Sequence, residues 1–546
     1  AEQMLKAWQK IKRNVRSLHE RIFFRPLLAA VSTLSRDEVV LSEQAAQDRL
    51  AALGYRDPRG AMRHIKALTT GLSRSADIQR HLMPVLLGWF ARGVDADAGL
   101  LGFRIVSESL GSTSWYLRML RDSPAAAERL SQLLSSSRLM TDLLEDASAS
   151  IAWLDKVDDL KALGEEALES EISSLLARHE DAVEAMRAVR YLRRRETLRT
   201  AMGWTLGIVD IEDTCAGLAA IDECTIDAAL RIALRELQST AEESEAGETA
   251  GEQLLTRIAI IGMGRLGGAE NGFGSDADVM FVHEPLEGVD EDAAQEQAAR
   301  IVNRTLALLK QPVKPPIRAE RPLEVDADLR PEGKQGAIVR SLDSYRSYYE
   351  HWAETWEFQA LTRARPIGGD PQLGEAFVEL IDPYRYPATF TPEQVQQIRR
   401  MKARVENERM PHGADRTRQL KLGRGGLSDV EWLVQLLQLR HAHAVPGLRT
   451  TSTLKALDAA VEAGLVTAED AEVLSGAWLL ATKIRGGNVL RGVRQSDTLP
   501  SGRADLEAIA RWCGYPAGSA RALEEDYLRQ TRNARKVYER LFFDEA

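Results

Sequence analysis

The architecture of this chain follows from residues 262–282, which read GMGRLGGAENGFGSDADVMFV. The apolar residues 258–261 before this stretch predict a strand, and the apolar run that includes Asp278 predicts a second strand. Glycines between the two strands allow a tight turn and a close approach of backbone N–H groups to a ligand. Asp276 and Asp278 lie one residue apart, so on a strand their carboxylates point to the same face. Such a pair can bind one hard divalent cation, and polyphosphate chemistry needs that cation beside a glycine-rich turn.

Two better-known glycine motifs do not fit this stretch. Gly262, Gly264 and Gly267 match G-x-G-x-x-G, the fingerprint of dinucleotide-binding Rossmann domains, in which the third glycine opens a long crossover helix. Residues 269–275, AENGFGS, contain Asn-Gly and Phe-Gly pairs that break any helix before the next strand begins. The chain also lacks the G-x-x-x-x-G-K-[ST] phosphate-binding loop. We therefore reject both alternatives.

The composition is that of a large, acidic chain. Its 546 residues suggest roughly three or four structural units. With 71 basic and 81 acidic residues the formal net charge is -10, which argues against nucleic acid as a partner. Cys215, Cys224 and Cys513 are too few and too scattered for a disulfide framework, so we expect a reducing, cytoplasmic location. No targeting signal and no apolar run near ~18 residues is present, so we expect no membrane partner.

Periodicity along the chain predicts a mostly α protein with a small mixed α/β unit between two helical regions. In residues 1–237 apolar side chains recur three and four positions apart, as expected for a helical region. Residues 239–253, acidic and without large apolar side chains, predict a loop. Residues 238–375 contain the predicted strands and form the predicted catalytic domain. Residues 376–546 return to helical periodicity and form the predicted C-terminal helical domain.

The sequence also predicts individual strands, helices and connectors. The predicted strands cover residues 254–261, 277–283, 323–329 and 337–340. Asp343 is expected to cap one aromatic-rich helix, SYRSYYEHWAETWEFQAL, and KIRGGNVLRG is expected to connect two later helices. The arginine-rich residues 187–199 predict either a solvated helix face or a face that binds phosphate or a partner.

A pattern of glycines and acids resembles the nucleotidyltransferase superfamily. Leu266-Gly267-Gly268 followed at short range by Asp276-Ala277-Asp278-Val279 matches hG[GS] and Dh[DE]h, where h is apolar. The resemblance implies a small mixed sheet with flanking helices and a third carboxylate on a later strand. Residues 323–329, LEVDADL, place Glu324, Asp326 and Asp328 on one face, and Asp326 is our choice. The alternative is that these acids form only a solvated strand face.

The wider sequence resembles one family in particular, the glutamine synthetase adenylyltransferases, which add AMP to a tyrosine of glutamine synthetase and remove it. The G-x11-D-x-D signature beginning at Gly264 carries this resemblance, together with VDADLRPEGKQG, WEFQALTRARPIGGD and LKLGRGGLSDVEWLVQLLQLRHA. With YLRRRETLRTAMGWTLGIVDIEDTCAGLAAIDECTIDAAL upstream, these motifs cover residues 190–444. Asp328 departs from the family pattern, which has an arginine before Leu329, and its role stays open.

The family is much longer than this chain and has two homologous catalytic halves, an N-terminal deadenylylating half and a C-terminal adenylylating half. Both halves carry the acidic signature, so the motif leaves the direction of the reaction open. Residues 15–28, the helix WEFQALTRAR and the terminal RQTRNARKVYERLFF resemble the C-terminal half, whereas KLGRGG resembles the first half as readily. The balance favours adenylylation. The alternative is removal of AMP by phosphorolysis, which gives ADP.

The resemblance implies a set of metal ligands and a set of nucleotide contacts. Asp276, Asp278 and Asp326 are expected to be the catalytic carboxylates and to hold two Mg²⁺ or Mn²⁺ ions, with ATP as the substrate. Each cationic residue among the nucleotide contacts could equally form a structural ion pair. The expected nucleotide-binding residues are Gly267, Gly268, Gly274, Ser275, Arg330, Lys334, Arg363, Arg365 and Lys421.

The same resemblance implies partners: glutamine synthetase, a PII signalling protein and glutamine as an effector. Two other classes of function stay open on the sequence. A polynucleotide polymerase would extend RNA, which the acidic composition disfavours. A regulatory scaffold would bind both proteins with an inactive centre, which the retained Asp276, Asp278 and Asp326 disfavour.

Overall fold

The computed structural model describes residues 43–110, 113–239, 253–318, 320–492 and 496–543. Two features discussed above therefore lie wholly or mostly outside the described residues. One is the segment 15–28, and the other is the predicted acidic loop, of which residues 240–252 are not described.

Packing divides the chain into two compact units. The first comprises residues 1–161, 201–209 and 490–492, and the second comprises residues 162–200, 210–489 and 493–546. The predicted division into domains at residues 237 and 375 follows sequence character rather than packing, and it stays a prediction.

The first unit is helical where it is described, as its periodicity predicts. Most of these helices begin at a residue whose side chain accepts a hydrogen bond from an N–H of the first turn, as Asp57, Ser73, Ser123 and Ser137 do. Its helices are α1 Glu43–Leu53, α2 Pro58–Thr69, α3 Arg74–Arg92, α4 Ala96–Leu110, α5 Ser114–Asp122, α6 Pro124–Ser136 and α7 Arg138–Asp146, followed by 3-10 turns Ser148–Asp155 and Val157–Leu160.

The second unit contains a five-stranded mixed sheet, which confirms the predicted fold class. The strands are β1 Thr256–Gly262, β2 Ala277–Pro285, β3 Val325–Asp326, β4 Val339–Ser341 and β5 Arg365–Gly369. Strand β1 pairs antiparallel with both β2 and β5, while β3 and β4 pair parallel with β2. The β2–β3 pair places Asp278 directly opposite Asp326.

Helices cover both faces of this sheet. The helices that lie wholly or mostly in the second unit are α8 Glu165–Arg178, α9 Ala182–Thr205, α10 Ile211–Ser239, α11 Gly264–Gly267, α12 Glu291–Lys310, α13 Leu342–His351, α14 Thr355–Leu361, α15 Pro371–Arg385, α16 Pro392–Glu408, α17 Leu427–His441, α18 Thr453–Glu462, α19 Ala468–Leu490, α20 Arg503–Trp512 and α21 Ala520–Phe543. Ile258 and Ile260 pack in a core with α10 and α12, and Ile261 packs with α13 and α15. Because both faces are buried, β1 is apolar at nearly every position.

Helices α16–α21 share a separate apolar core in the second unit. Leu433, Leu457, Trp478, Ile509 and Tyr527 are among its buried members. Helix α16 begins at a capping box formed by Thr391 and Gln394.

Two of the finer helix predictions are wrong. The aromatic helix is capped by Ser341 rather than Asp343, and it divides into α13 and α14 because Glu354 and Glu357 form a new capping box. The expected connector KIRGGNVLRG is helical as far as Leu490. Gly487 lies inside this helix and does not end it. A Cβ at this position would lie 2.8 Å from Ile509 Cδ1, so the glycine allows α20 to pack closely against α19.

The strand predictions need two corrections. Strand β3 has two residues instead of the seven expected, because the N–H of Asp328 donates to Asp326 Oδ1 (2.7 Å) and the chain turns there. Strand β5 was not predicted at all. Its sequence, RPIGG, has the glycines and proline of a loop, yet it pairs at the sheet edge next to β1.

The arginine-rich residues 187–199 fit neither of their two interpretations. Arg190 donates to Glu320 (2.6 Å), and Arg193 donates to Asp222 (2.7 Å). These ion pairs are mostly buried, so the charges stabilise helix packing inside the second unit. The sequence did not reveal this, because the acidic partners lie 29 and 130 residues away along the chain.

Candidate active site

Three carboxylates meet where β2 and β3 run side by side. Asp276 lies just before β2, Asp278 lies on β2, and Asp326 lies opposite it on β3. Each offers an oxygen atom that lies within 4.8 Å of those of the other two. Asp276 is exposed and the other two are half-buried. Three hard oxygen donors at this spacing suit Mg²⁺ or Mn²⁺, which prefer carboxylate and water ligands.

The charges of the cluster act most strongly on Asp278. Burial and the nearby Asp276 and Asp326 raise the pKa of Asp278 to about 7, although Lys421 and Arg409 act in the opposite direction. A carboxylate in this state is half-protonated near neutral pH. A bound cation would relieve the mutual repulsion, so the site is electrostatically prepared for one.

Gly264 gives the carboxylate of Asp278 its space. Its φ is +51°, and a Cβ built on it would overlap Oδ2 of Asp278 and lie 3.1 Å from Cγ. The N–H of Met263 donates to the carbonyl oxygen of Asp278 (2.8 Å), which fixes the turn against β2. Glycine is therefore required at the start of the signature for two reasons, its backbone conformation and the neighbouring carboxylate.

Gly274 and Ser275 lie directly before Asp276 in a tight turn. The N–H of Gly272 donates to Ser275 Oγ (3.1 Å), and the N–H of Ser275 donates to the carbonyl oxygen of Gly272 (3.1 Å). Gly274 is exposed with φ +70°. The position next to the acids supports the prediction that this turn contacts phosphate.

Gly267 and Gly268 have a close packing contact in the structure. A Cβ on Gly267 would overlap the carbonyl oxygen of Arg363, and one on Gly268 would lie 2.9 Å from the Arg363 guanidinium carbon. Both glycines therefore let residues before β5 approach the turn. Their contact with a nucleotide stays a prediction.

Arg363 and Arg365 already have protein partners. Arg363 is buried, pairs with Glu270, and donates to the carbonyl oxygen of Thr451. Arg365 pairs with Glu223 (2.5 Å) and donates to the carbonyl oxygen of Gly267 (3.2 Å). These contacts favour a structural contribution, and the predicted phosphate contacts of both side chains remain without support.

Arg330 and Lys334 lie in the loop that follows β3. Arg330 donates to the carbonyl oxygens of Ala327 (2.7 Å) and Gly336 (3.1 Å), which closes the loop. Lys334 is exposed and pairs with Asp328 (3.2 Å). Asp328, whose role the sequence left open, thus binds a lysine with its side chain.

Lys421 reaches the site from the helical region after the sheet. Its side chain is exposed, and its positive charge is close enough to lower the pKa of Asp278. Two hydrogen bonds hold its loop against the start of α17. The N–H of Ser428 donates to the Lys421 carbonyl oxygen (2.9 Å), and the N–H of Gly425 donates to Asp429 Oδ2 (2.7 Å). Asp429 in turn pairs with the buried Lys402 (2.8 Å). The predicted site residue furthest along the chain therefore lies near the carboxylate of Asp278.

Two cationic residues at the site were missed by the sequence analysis. Arg409, at the end of α16, acts on Asp278 in the same direction as Lys421. Arg321 lies 3.7 Å, through Nη1, from the position of a Cβ on Gly274. Arg321 lies four residues before β3, the strand that carries Asp326, so its position in the sequence could have suggested a place at the site. The sequence around Arg409 contains no comparable indication.

None of the helices in the described ranges combines the length and apolarity needed to cross a bilayer.

Two family profiles match different parts of the chain. The profile of glutamate-ammonia ligase adenylyltransferase matches residues 127–380, and that of GlnD PII-uridylyltransferase matches residues 399–542. Glutamate-ammonia ligase is another name for glutamine synthetase.

Curated relatives align along nearly the whole chain. The chain is 49% identical to the bifunctional glutamine synthetase adenylyltransferase/adenylyl-removing enzyme of Leifsonia xyli, and the alignment covers 100% of the chain and 52% of that protein. The enzymes of the same name from Streptomyces avermitilis and Corynebacterium glutamicum are 48% and 40% identical, covering 98% and 100% of the chain and 54% and 51% of those proteins. The chain spans about half the length of these relatives, and over that half it is similar to the glutamine synthetase adenylyltransferases.

Proposed function

We propose that this chain transfers AMP from ATP to a tyrosine of glutamine synthetase and thereby lowers the activity of that enzyme. The observation that carries the proposal is the meeting of Asp276, Asp278 and Asp326 beside the cationic Lys421. A chain similar to these enzymes that keeps all three carboxylates at metal-binding distance has the means for nucleotidyl transfer.

The proposed reaction is a substitution at the α-phosphorus of ATP. The phenol oxygen forms a bond to that phosphorus, the bond to the bridging oxygen breaks, and pyrophosphate leaves with the electron pair. Mg²⁺ or Mn²⁺ held by Asp276, Asp278 and Asp326 would supply positive charge to the triphosphate and to the attacking oxygen. Asp326 lies on the edge strand, where its carboxylate can accept the proton that the phenol loses.

Other residues of the chain position the triphosphate. The turn at Gly274 and Ser275 offers backbone N–H groups and a hydroxyl beside Asp276. Lys421, Arg409 and Arg321 bring positive charge to the same side. These charges oppose the repulsion between the carboxylates and the incoming phosphates.

The direction of the reaction is the open part of the proposal. The relatives are named for both addition and removal of the adenylyl group, and the chain spans about half of them. The second candidate is therefore phosphorolytic removal of AMP, in which phosphate attacks adenylyl-tyrosine and ADP leaves.

One experiment separates the two directions. Unmodified glutamine synthetase should gain an AMP adduct on a tyrosine when it is incubated with this chain, ATP and Mg²⁺, as a mass spectrum would show. Adenylylated glutamine synthetase incubated with the chain and phosphate should release little ADP. The reverse pair of results would assign the chain to removal, and no reaction in either mixture would refute both proposals.

The proposed setting is the cytoplasm, with glutamine as an effector. We further propose that the C-terminal helices α16–α21 meet a PII signalling protein. The match of residues 399–542 to the PII-uridylyltransferase profile supports this proposal.

Cation affinity should rise with pH through about 7. The raised pKa of Asp278 means that the carboxylate must lose a proton to bind a cation, and this cost disappears once the pH exceeds that pKa. Calorimetry with Mn²⁺ between pH 6 and pH 8 should show tighter binding at pH 8, with proton release at pH 6. The Glu324→Gln variant should keep this profile, and a flat profile in the wild type would contradict the assignment.

Lys421→Ala should raise the KM for ATP about ten-fold, because about 1.4 kcal/mol of attraction for the triphosphate would be lost. The side chain is exposed, so folding should be unaffected. The matched control is Lys455→Ala, an exposed lysine in the same helical region, which should leave KM unchanged. Equal KM values for the two variants would remove Lys421 from the site.

A further inference from the structure

Three arginines on one side of α9 hold the loop that leads into β3. Arg187, Arg190 and Arg193 lie three residues apart, so their side chains project from neighbouring positions of the helix surface. Each donates to a main-chain carbonyl oxygen of the loop between α12 and β3. The accepting residues are, in the same order, Pro315 (3.2 Å), Gln311 (2.6 Å) and Arg321 (2.8 Å). Because carbonyl groups outside regular structure need donors from elsewhere, these bonds fix the path of the loop at three points.

Arg193 also contacts a second segment of the candidate active site. Its Nε donates to Asp222 Oδ1 (2.7 Å), while its Nη1 donates to the carbonyl oxygen of Arg321. The other carboxylate oxygen of Asp222 accepts from the side-chain amide of Asn271 (3.0 Å). Asn271 is fully buried and directly precedes the turn 272–275. One guanidinium therefore connects α9 both to Arg321 and, through one carboxylate, to the turn before Asp276.

Arg321 depends on its main chain for its position. Its side chain is exposed, and its guanidinium makes no hydrogen bond or ion pair with any residue that the structure describes. Nη1 of Arg321 lies 3.7 Å from the position of a Cβ on Gly274. The donors of Arg321 are therefore available to a ligand beside the turn, and Arg193 holds the peptide group from which this side chain extends.

The contacts of Arg193 are shielded from water. The side chains of Arg193 and Asp222 are 17% and 8% exposed. Charge-assisted hydrogen bonds in such surroundings are short and directional, whereas an exposed ion pair constrains geometry little. Nε and Nη1 serve two acceptors at once, which a planar guanidinium can do and a single ammonium cannot.

We propose that Arg193 is a positioning residue for the triphosphate of the nucleotide substrate. It holds Arg321 and the turn 272–275 in a fixed relation, so that both contact the same phosphate chain. Arg193 acts through these groups and does not itself touch the nucleotide. The inference rests on the proposed function to the extent that it takes ATP as the ligand.

Binding of ATP without glutamine synthetase tests the proposal. Calorimetry with ATP and Mg²⁺ on the whole chain, well below its unfolding midpoint, measures affinity separately from AMP transfer. Arg193→Gln should weaken ATP binding at least about ten-fold, because a displacement of about 1 Å at substrate-positioning groups can cost about a hundred-fold in rate. Arg193→Lys keeps the charge but cannot serve both acceptors, so it should still weaken binding at least about three-fold.

The matched controls are Arg195→Gln and Arg195→Lys. Arg195 lies on the same helix and donates through Nη1 and Nη2 to Glu171 on α8 (2.8 and 2.7 Å). These substitutions therefore change the same charge and remove a comparable ion pair, but the acceptor belongs to neither the loop nor the turn. They should lower the unfolding midpoint and leave ATP affinity within about two-fold of the wild type.

A double-mutant cycle tests the route of the effect. In the Arg321→Ala background, Arg193→Gln should weaken ATP binding by a smaller factor than it does alone, because the part that acts through Arg321 is already lost. An effect that arises only from general loss of stability would be the same in both backgrounds. If Arg193→Gln does not fold, Arg193→Lys replaces it in the cycle, since it keeps a cation beside Asp222.

Three results would overturn the proposal. The first is equal ATP affinity in the Arg193 and Arg195 variants. The second is wild-type affinity in Arg193→Lys, and the third is a full Arg193 effect in the Arg321→Ala background. The expected pattern of affinities in a chain that transfers no AMP would refute the proposed function and support this inference. A wild type that binds no ATP would refute both.

Discussion

Asp278→Asn should reduce AMP transfer at least about a thousand-fold while the protein stays folded. Asp278 is central among the three carboxylates, and a lost metal contact worth roughly 4 kcal/mol in the transition state corresponds to that factor. Without metal the variant should unfold at the same temperature as the wild type or a higher one. Burial and the neighbouring Asp276 and Asp326 oppose the charge of Asp278, and the substitution removes that charge.

The matched control is Glu324→Gln, which removes an exposed carboxylate from the same segment. Glu324 contributes its main-chain carbonyl oxygen to the N–H of Ala277 (2.8 Å), so its side chain should be dispensable. Label from [α-³²P]ATP on glutamine synthetase measures the rate. Normal labelling by Asp278→Asn, or equal losses in both variants, would show that the carboxylate cluster is not the catalytic centre.

Gly267→Ala should destabilise the second unit by about 3 kcal/mol or more. The added Cβ would overlap the carbonyl oxygen of Arg363 and lie 2.5 Å from that of Gly262. Both obstacles are backbone atoms, so no side-chain rotation relieves them and the main chain around Gly267 must shift. The urea midpoint of unfolding measures this loss.

Gly272→Ala serves as the control from the same turn. Its Cβ would meet Ser275 Oγ at 3.6 Å, an ordinary contact, and its backbone does not adopt a positive φ. We expect a change within about 1 kcal/mol for this variant. Similar urea midpoints for the two variants would mean that the approach of residue 363 to residue 267 is not close in solution.

The meeting of the three carboxylates was predictable because its signal is local. Asp276 and Asp278 share a face through strand alternation, and the same rule placed Asp326 on a face with two other acids. The rule could not show that β3 would end at Asp326. That ending depends on a hydrogen bond between the side chain of Asp326 and the main chain of Asp328.

The remaining features depend on contacts between distant parts of the chain. RPIGG becomes strand β5 because the edge of β1 is available to it, and no propensity in its own residues indicates this. Arg363 resembles a phosphate ligand in sequence, yet the buried Glu270 is its partner. Arg409 lowers the pKa of Asp278 because the fold brings the end of α16 near that carboxylate. Sequence patterns describe single elements well, but they do not report which elements become neighbours.

The buried Glu270 has a practical consequence for dissecting the protein. Its carboxylate accepts from the main-chain N–H of Thr453 (2.6 Å) and from the hydroxyl of the same residue (2.9 Å), in addition to Arg363. An expression clone that stops at residue 375 would lack these donors and leave a buried acid short of partners inside the glycine-rich turn. A minimal fragment for crystallisation or screening should therefore extend beyond α18, since the sheet alone is not a self-sufficient piece.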